Sequence, residues 1–304
     1  MSQTSEVSSP LVGALRPPPT LVSVIIPCRN VARCLGDQMR ALKLQDYQGN
    51  FEIVVVDNGS IDETANVARS WESELRVVVV DFPEKQGHGA ALNSGCKHAH
   101  GDLIAICDGD DVVSRGWLSA LVRGARHADL VGGAQEVGLL NNPVVQSWRR
   151  SPPKDQLPIG CSYLPYAFSS NCGVWSDVIN AVGNFNENYP FAGGDLDFSW
   201  RVQLRSYRIQ FVPDAILHYR YRETPRALAR QLYQYGRAEP QLFRDFRAVG
   251  MPRKLLRHLA IWVYVALYPL VGVWSARGRG RLVGYAAFQV GRLSGCWRFR
   301  TFYP

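Results

Sequence analysis

Residues 103–111 read LIAICDGDD, an apolar run that changes abruptly into carboxylates around one glycine. The apolar part has the length and composition of a buried strand, so we expect a strand over 103–107. Asp108, Asp110 and Asp111 then follow its carboxyl end. Such groups repel one another unless a cation neutralises them, and their hard oxygen atoms suit Mg²⁺ or Mn²⁺. Acidic turns are also common, so this pattern depends on its context.

Three further apolar runs precede this one, and each is separated from the next by a helical segment. The runs are LVSVII at 21–26, which Pro27 should end, FEIVVV at 51–56 and LRVVVV at 75–80. Between them we expect helices over 31–44, 60–71 and 87–99. The second helix should begin with a capping box, because Ser60 is followed three residues later by Glu63.

Alternating strands and helices predict an α/β fold with a mostly parallel sheet that is covered on both faces. Such sheets bind ligands at the carboxyl ends of their strands. Asp57 stands at one such end, directly before Asn58-Gly59 and the next helix. Its carboxylate is placed either to accept hydrogen bonds from a nucleobase or ribose, or simply to shape the turn.

The second half of the chain is less regular. Residues 141–165 contain five prolines and predict a loop. Further elements are expected within 171–182 (a strand and a helix), 196–206 (a helix) and 208–212 (a strand). Thr224 and Pro225 suit the cap and first turn of a helix that should end near Glu239, before Pro240.

Positive charge is concentrated at the C-terminal end. The chain carries +8 overall, yet the ten Lys and Arg that follow Asp245 meet no acidic residue, so the preceding part is slightly acidic. Residues 259–276 contain no charge and have basic residues on both sides. This pattern favours contact with an anionic membrane surface at the cytoplasmic face, by a peripheral, re-entrant or single-span helix, over nucleic-acid binding. A core helix packed on the main domain is the alternative.

The cysteines and the N-terminal segment indicate the cellular compartment and the division of the chain into parts. The seven cysteines form no C-x-x-C pair, which disfavours a zinc site and favours reduced thiols in the cytosol. Residues 1–20 are rich in Ser, Thr and Pro and predict a flexible lead without a signal peptide. We therefore expect three parts: this lead, a catalytic domain over 21–224, and a helical, apolar and basic region over 225–304.

Four ordered motifs together carry a family resemblance. They are VSVIIPCRN, VVVDNGSIDET, GHGAALNSGCKHAHGDLIAICDGDD and the later run NFNENYPFAGGDLDFSWRVQLRSYRIQFVPDAILHYRYR. Residues 21–222 resemble the inverting glycosyltransferases of family two. The resemblance implies a GT-A fold and transfer of a sugar from a nucleotide-sugar donor to a glycan or lipid-linked acceptor in cell-envelope glycan, glycolipid or polysaccharide synthesis.

The resemblance also implies a role for each matching residue. Asp195 matches the general base that deprotonates the acceptor hydroxyl. Asp110 and His218 match metal-binding positions for Mn²⁺ or Mg²⁺. The positions matching donor-nucleotide contacts are Pro27, Arg29, Asp57, Asn93 and Asp108.

Three departures from the family pattern refine these expectations. Gly194 replaces the usual Glu before the base, and Leu92 replaces a frequent Arg. The Gln-x-x-Arg-Trp signature of processive synthases is absent, so one sugar per encounter is expected. Gly194 also motivates an alternative, a catalytically inactive nucleotide-sugar-binding scaffold. A nucleotidyltransferase is disfavoured, because the loop over 27–30 contains no glycine.

Overall fold

The computed structural model describes residues 15–253, 255–269 and 274–303. Its centre is an eight-stranded sheet in the order β3-β2-β1-β4-β9-β6-β10-β5, and a separate hairpin pairs β7 with β8. The strands are β1 Val22–Cys28, β2 Phe51–Asp57, β3 Val77–Asp81, β4 Leu103–Cys107, β5 Val112–Val113, β6 Leu130–Glu136, β7 Ile159–Gly160, β8 Leu164–Pro165, β9 Asn171–Trp175 and β10 Ile209–His218.

The sheet is mostly parallel, as the sequence predicts. Within it, β1 pairs in parallel with β2 and β4, β2 with β3, and β6 with β10, whereas β9 and β5 run in the opposite direction. The Val and Ile side chains of β1 and β2 are fully buried, because helices cover both faces of the sheet. The predicted α/β fold is therefore confirmed.

Ten helices of the described ranges surround the sheet or follow it. They are α1 Ala32–Lys43, α2 Thr64–Arg69, α3 His88–His98, α4 Trp117–Ala125, α5 Pro143–Gln146, α6 Ser176–Val182, α7 Gly194–Leu204, α8 Pro225–Phe246, α9 Leu255–Leu267 and α10 Ala276–Arg298. A short 3-10 helix, Arg247–Val249, follows α8.

Pro27 does not end the first strand, contrary to the sequence prediction. It pairs with Val56, and β1 continues to Cys28. The Cys28 carbonyl accepts from Asn58 on the β2 side, so the preceding residue faces β4. Pairing with β4 has already ended at Ile25, and the missing N–H of proline therefore interrupts no ladder there.

The predicted capping box at Ser60 is wrong. The Ser60 hydroxyl accepts instead from the Asn30 backbone N–H at 2.9 Å, and the Glu63 carboxylate binds the Asn66 side chain. Helix α2 begins only at Thr64, whose N–H and hydroxyl both donate to Asp62. Ser60 thus joins the loops after β1 and β2 at the sheet edge.

Helix α8 begins as predicted, since the Thr224 hydroxyl accepts from the Ala227 N–H, but it does not end before Pro240. It continues to Phe246 because α10 packs along it in the same direction. Glycines bring the two backbones together: a Cβ at Gly236 would clash with the Phe288 carbonyl oxygen.

The loop predicted over 141–165 contains short elements. Asn142 caps α5 by accepting from two backbone N–H groups, and β7 and β8 form a hairpin. Strand β10 is longer than the predicted 208–212, because a bulge between Val212 and Ile216 takes Pro213 out of the ladder and pairing then resumes. The bulge carries His218 to the sheet edge.

The uncharged stretch at 259–276 is not one continuous helix. Helix α9 ends at Leu267 and α10 begins at Ala276, while 270–273 lie outside the described residues. Within the described ranges, none of the helices combines the length and the apolar character that crossing a bilayer requires.

The predicted flexible lead is corrected for its last residues, while 1–14 lie outside the described ranges. Arg16 is bound to the catalytic domain: its guanidinium pairs with Asp129 at 2.8 Å and with Asp177 at 3.0 Å. It also stacks over Trp175. The domain therefore includes at least this residue.

Candidate active site

Three carboxylates cluster immediately after β4. Asp108, Asp110 and Asp111 each present an oxygen atom, and these atoms lie within 4.8 Å of one another. The turn that gathers them depends on Gly109, where a Cβ would lie 2.7 Å from the Cys28 sulfur at the end of β1. The sequence thus folds an acidic cluster against the central strand.

Electrostatics leave this cluster short of positive charge. Burial, and then the neighbouring Asp110 carboxylate, raise the pKa of Asp108 to about 7. Burial and both neighbours also raise the pKa of Asp111 well above its usual range. Arg222 reaches in from the segment after β10 and pairs with Asp110 at 2.7 Å. The Arg220 guanidinium also lies here, its Nε donating to the Asp110 backbone carbonyl at 2.9 Å, so two guanidinium groups stand beside three carboxyl groups.

The donor set fits a divalent cation. Asp111 is fully buried, and one of its oxygens accepts from the Arg220 N–H at 2.8 Å. Its other oxygen, Oδ2, has no hydrogen-bond partner. A buried carboxylate oxygen without a partner is costly, and a hard cation is the ligand that satisfies it. Asp108, Asp110 and Asp111 are the residues that would hold Mn²⁺ or Mg²⁺.

His218 lies at the end of β10, beside this cluster in the sheet but outside it. It pairs with Val112 of β5, one residue beyond Asp111. Its Nδ1 is within 2.9 Å of a Glu136 carboxylate oxygen, at the end of the neighbouring strand. The ring is thus oriented by Glu136, and a metal-binding role for His218 stays a prediction.

Asp195 stands at the start of α7. The turn before it depends on Gly193, which has φ +85° and whose Cβ would press on Ala238 and Tyr189. Burial raises the pKa of Asp195 to about 6, although the Leu196 N–H donates to its carboxylate at 3.0 Å. A carboxylate with this pKa is basic enough to accept a proton and is still ionised at neutral pH.

His88 belongs to the same site, although the sequence argument passed over it. It begins α3 after Gly87, which has φ +148°, and its backbone N–H donates to the Pro190 carbonyl. That bond ties the start of α3 to the loop that precedes Asp195. Burial lowers the pKa of His88 against the opposing charges of Asp195 and Asp110. Its place after β3, where the third strand meets the ligand-binding edge, is the signal that could have found it.

Two of the predicted nucleotide-binding residues, Asp57 and Arg29, lie at the ends of β2 and β1, next to the acidic cluster. Asp57 ends β2 and accepts from the Ser60 N–H at 2.9 Å, while Arg29 is exposed just beyond β1. Burial raises the pKa of the Cys28 thiol, and the charges of Asp108, Asp110 and Asp57 raise it further. These carboxylates therefore all lie near the Cys28 thiol at the end of β1.

Asn93 is placed differently. Its side-chain amide accepts from the Phe185 N–H and donates to the Phe185 carbonyl and the Glu187 carboxylate. These bonds join α3 to the loop before α7. Asn93 does not line the cavity described next, and neither do Pro27, Arg29 and Asp57, so the contact of these residues with the donor stays a prediction.

A cavity of about 1100 Å³ opens beside the acidic cluster. Asp108, Asp195 and His88 lie in its wall, and α8 and α10 close the opposite side. Arg149 also lines it and stacks on the Tyr221 ring at 5.0 Å. Sequence analysis missed Arg149 because it lies within the proline-rich segment predicted only as a loop.

A mixed, mostly parallel sheet with an acidic cluster at one edge, and a further carboxylate, Asp195, in the wall of the same cavity, defines a glycosyltransferase of the GT-A fold. Residues 23–179 match the model of the family described as Glycosyl transferase family 2. The chain belongs to this family, which confirms the resemblance seen in its motifs.

Individual relatives agree with this assignment. The chain is 31% identical to Glycosyltransferase AglE of Haloferax volcanii, over 82% of this chain and 81% of that protein. In fold it is similar to a mannosyltransferase of Pyrobaculum calidifontis solved with GDP-Man and Mn²⁺, with a TM-score of 0.61, 18% identity and coverage of 92% and 88%. It is also similar to Staphylococcus aureus TarS 1-349 in complex with UDP-GlcNAc, with a TM-score of 0.54, 17% identity and 93% coverage of each chain.

Proposed function

We propose that this glycosyltransferase moves a sugar from a nucleotide-sugar donor to a hydroxyl group of a glycan or lipid-linked acceptor, with inversion and with a divalent metal. The observation that carries the proposal is the shared cavity of Asp108 and Asp195. Because both residues line one cavity, it supports a reaction that uses the acidic edge and a candidate base together. The solved relatives, with GDP-Man and Mn²⁺ and with UDP-GlcNAc, support a donor of this class.

In this proposal Asp195 removes the proton of the acceptor hydroxyl as its oxygen attacks the anomeric carbon. Burial gives the carboxylate its raised pKa, and the Leu196 N–H at 3.0 Å fixes its orientation. His88 holds the neighbouring loop in place through the Pro190 carbonyl. One carboxylate opposite the leaving group supports a single displacement, which inverts the anomeric centre.

The leaving group is a nucleoside diphosphate, so the opposite wall must receive negative charge. A divalent ion held by Asp108, Asp110 and Asp111 would act there as a Lewis acid on the diphosphate. The chain adds its own cations, because Arg149 and Arg222 line the same cavity. In this proposal Asp57, at the neighbouring strand end, binds the base or ribose.

The first experiment incubates the protein with Mn²⁺ and a panel of UDP-, GDP- and dTDP-sugars and measures the released nucleoside diphosphate. One donor class should be turned over, and an Asp195→Asn variant should retain donor binding while losing turnover. Asp214→Asn is the matched control, since Asp214 is an exposed carboxylate on β10. Donor binding without turnover in the unmodified protein would instead support the inactive scaffold. Absence of both binding and turnover would refute the proposal.

We also propose that the protein works at an anionic membrane surface, on the cytoplasmic face. Apolar side chains are exposed near the C-terminal end: Trp274 is 84% exposed and Trp297 is 87% exposed. Arg277 and Arg298 lie close to them in the sequence. Exposed aromatic rings beside arginines match the interface between headgroups and acyl chains.

Vesicle sedimentation tests this placement. The protein should sediment with vesicles that contain phosphatidylglycerol, less with neutral phosphatidylcholine, and less again when Trp274 and Trp297 are both changed to Ser. Equal recovery from all vesicles, or none from any, would contradict it. This outcome is independent of the donor assay.

A further inference from the structure

The far end of the active-site cavity is formed by α10, outside the part of the chain that carries the family motifs. Gln289 and Arg292 stand one turn apart on this helix and both lie in the cavity wall. They are buried, with 1% and 3% of their surface exposed. Buried polar side chains of this kind normally find hydrogen-bond partners within the protein.

Here the partners are missing. Neither the oxygen nor the nitrogen of the Gln289 amide has a hydrogen-bond partner, and the same is true of one terminal nitrogen of Arg292. Leaving such groups without partners costs free energy that an apolar side chain would avoid. The Nε atom of Arg292, by contrast, donates to the Glu239 carboxylate at 2.9 Å. The unsatisfied groups therefore sit beside a fixed ion pair.

This end of the cavity is continuous with the proposed base. Ala238, the residue before Glu239, lies 3.1 Å from where a Cβ of Gly193 would be, two residues before Asp195. The other Glu239 oxygen accepts from the Cys161 thiol at 3.8 Å. Cys161 and the next residue, Ser162, both have positive φ in the turn of the β7–β8 hairpin. The Tyr163 N–H donates to the Gly160 carbonyl at 2.9 Å, so these two residues are the central pair of a tight hairpin turn, where positive φ is usual.

Gly194 leaves space at the same place. A Cβ there would meet nothing closer than 3.7 Å, so packing does not require the glycine. The absence of a side chain enlarges the cavity between Asp195 and α8. At about 1100 Å³ the cavity exceeds what one small ligand usually fills. There is room for an acceptor beside the donor.

We propose that Gln289, Arg292 and Glu239 form the subsite that binds the sugar ring of the acceptor, in place of a side chain at position 194. The assignment rests on the proposed transfer reaction. It gives the C-terminal helix α10 a direct part in acceptor recognition.

The chemistry of the subsite favours a neutral sugar over a bare phosphate. Arg292 is already neutralised by Glu239 at 2.9 Å, so the group as a whole carries no net charge. The Gln289 amide offers one donor group and one acceptor atom side by side, and the free Arg292 nitrogen adds a further donor. Neighbouring hydroxyls of a sugar ring both donate and accept, whereas a phosphate only accepts.

The test compares Gln289→Leu and Arg292→Lys with the unmodified protein. The acceptor probes are octyl β-glucoside, octyl β-galactoside and octyl β-N-acetylglucosaminide, with octyl phosphate as the anionic probe. Gln289→Leu should raise the KM for the accepted glycoside about tenfold. Hydrolysis of the donor without acceptor should stay within about twofold, because the donor end of the cavity is untouched. Arg292→Lys, which keeps the charge, should show the smaller loss.

Gln241→Leu is the matched control. Gln241 is a buried glutamine of α8 whose amide donates to the Asn188 carbonyl, and neither of these two residues lines the cavity. It should lose stability and keep its acceptor KM, whereas Gln289→Leu should keep or raise Tm because no partner is lost. An unchanged acceptor KM in Gln289→Leu, or a parallel loss of donor hydrolysis, would overturn the subsite.

Saturation-transfer NMR separates this inference from the proposed function. The octyl glycosides should give signals with the unmodified protein that weaken in Gln289→Leu, and this measurement needs no turnover. Glycoside binding without turnover of any donor would refute the function and leave the subsite standing. Donor turnover together with glycoside signals that are unchanged in Gln289→Leu would refute the subsite. Signals from octyl phosphate alone would also refute it.

Discussion

The cavity joins two regions that are built in different ways. On one side lies the acidic turn after β4, which contributes Asp108 to the cavity wall and is placed by the strand directly before it. On the other side α8 and α10 form a wall that depends on close backbone packing at glycines. The acidic edge concentrates charge at a cost in stability, while the helical wall supplies shape and neutral polar groups. Substitutions at the acidic edge should therefore affect mainly the rate of sugar transfer. Substitutions in the helical wall should affect stability and acceptor binding.

The largest effect is expected at Asp195, which lies in the cavity wall with Asp108 of the acidic edge. Asp195→Asn removes the proposed base but keeps its shape, so sugar transfer should fall by about 10³-fold. Donor affinity, measured by calorimetry with the intact donor and Mn²⁺, should change little. A loss of less than about tenfold would show that another group accepts the proton.

The close packing of α8 against α10 is tested by adding one methyl group. At Gly236 of α8 a Cβ would clash with the Phe288 carbonyl oxygen of α10, a backbone atom that cannot turn away. Gly236→Ala should therefore lower the free energy of unfolding by about 1–3 kcal/mol, measured by urea denaturation.

Gly36→Ala on α1 is the control for this change. No atom lies within 4 Å of its Cβ position, so alanine should raise the free energy of unfolding by up to about 1 kcal/mol through helix propensity. Equal effects at both glycines would contradict the role given to packing between α8 and α10.

A pH profile sharpens the assignment of the base. Burial raises the pKa of Asp195 to about 6, and only the carboxylate form accepts a proton. The kcat/KM for the acceptor, at saturating Mn²⁺, should therefore be steady at pH 7–8 and fall about tenfold per unit below pH 6. A profile that stays flat down to pH 5 would exclude this carboxylate as the base.

The smallest effect is a gain in stability at the acidic edge. The pKa of Asp108 is raised from 3.8 to about 7, so the folded, metal-free protein loses stability as pH rises from about 4 to 7, and the loss is complete above pH 7. Asp108→Asn should raise Tm in EDTA by about 3 °C at pH 8 and by less at pH 5. The exposed Asp214→Asn should change Tm at neither pH. A lower Tm for Asp108→Asn at pH 8 would show that the carboxylate stabilises the fold.

The two regions also differ in how far the sequence predicts them. The parallel strands and the acidic residues after β4 follow from short contiguous patterns, because strand periodicity and the residue after each strand are local properties. Arg149, Gln289 and Arg292 could not be found this way. Their places depend on a loop and on two helices that meet through glycines far apart in the chain, as Gly236 and Phe288 do.

Proline and serine gave the misleading local signals. Pro240 predicts a helix end, yet α8 passes through it because packing on α10 outweighs one lost hydrogen bond. Ser60 has the spacing of a helix cap, yet its hydroxyl accepts from Asn30 across the sheet edge. In both cases a tertiary contact replaces the local preference.

In the proposed reaction the acidic edge holds the metal and the diphosphate, and Asp195 acts on the acceptor hydroxyl in the same cavity. Crystals soaked with Mn²⁺ and the nucleoside diphosphate of the accepted donor would test it by anomalous scattering. One manganese peak should lie among the carboxylates of Asp108, Asp110 and Asp111, with the diphosphate between it and the Asp195 side of the cavity. A peak away from these carboxylates, or a diphosphate bound outside the cavity, would contradict the account.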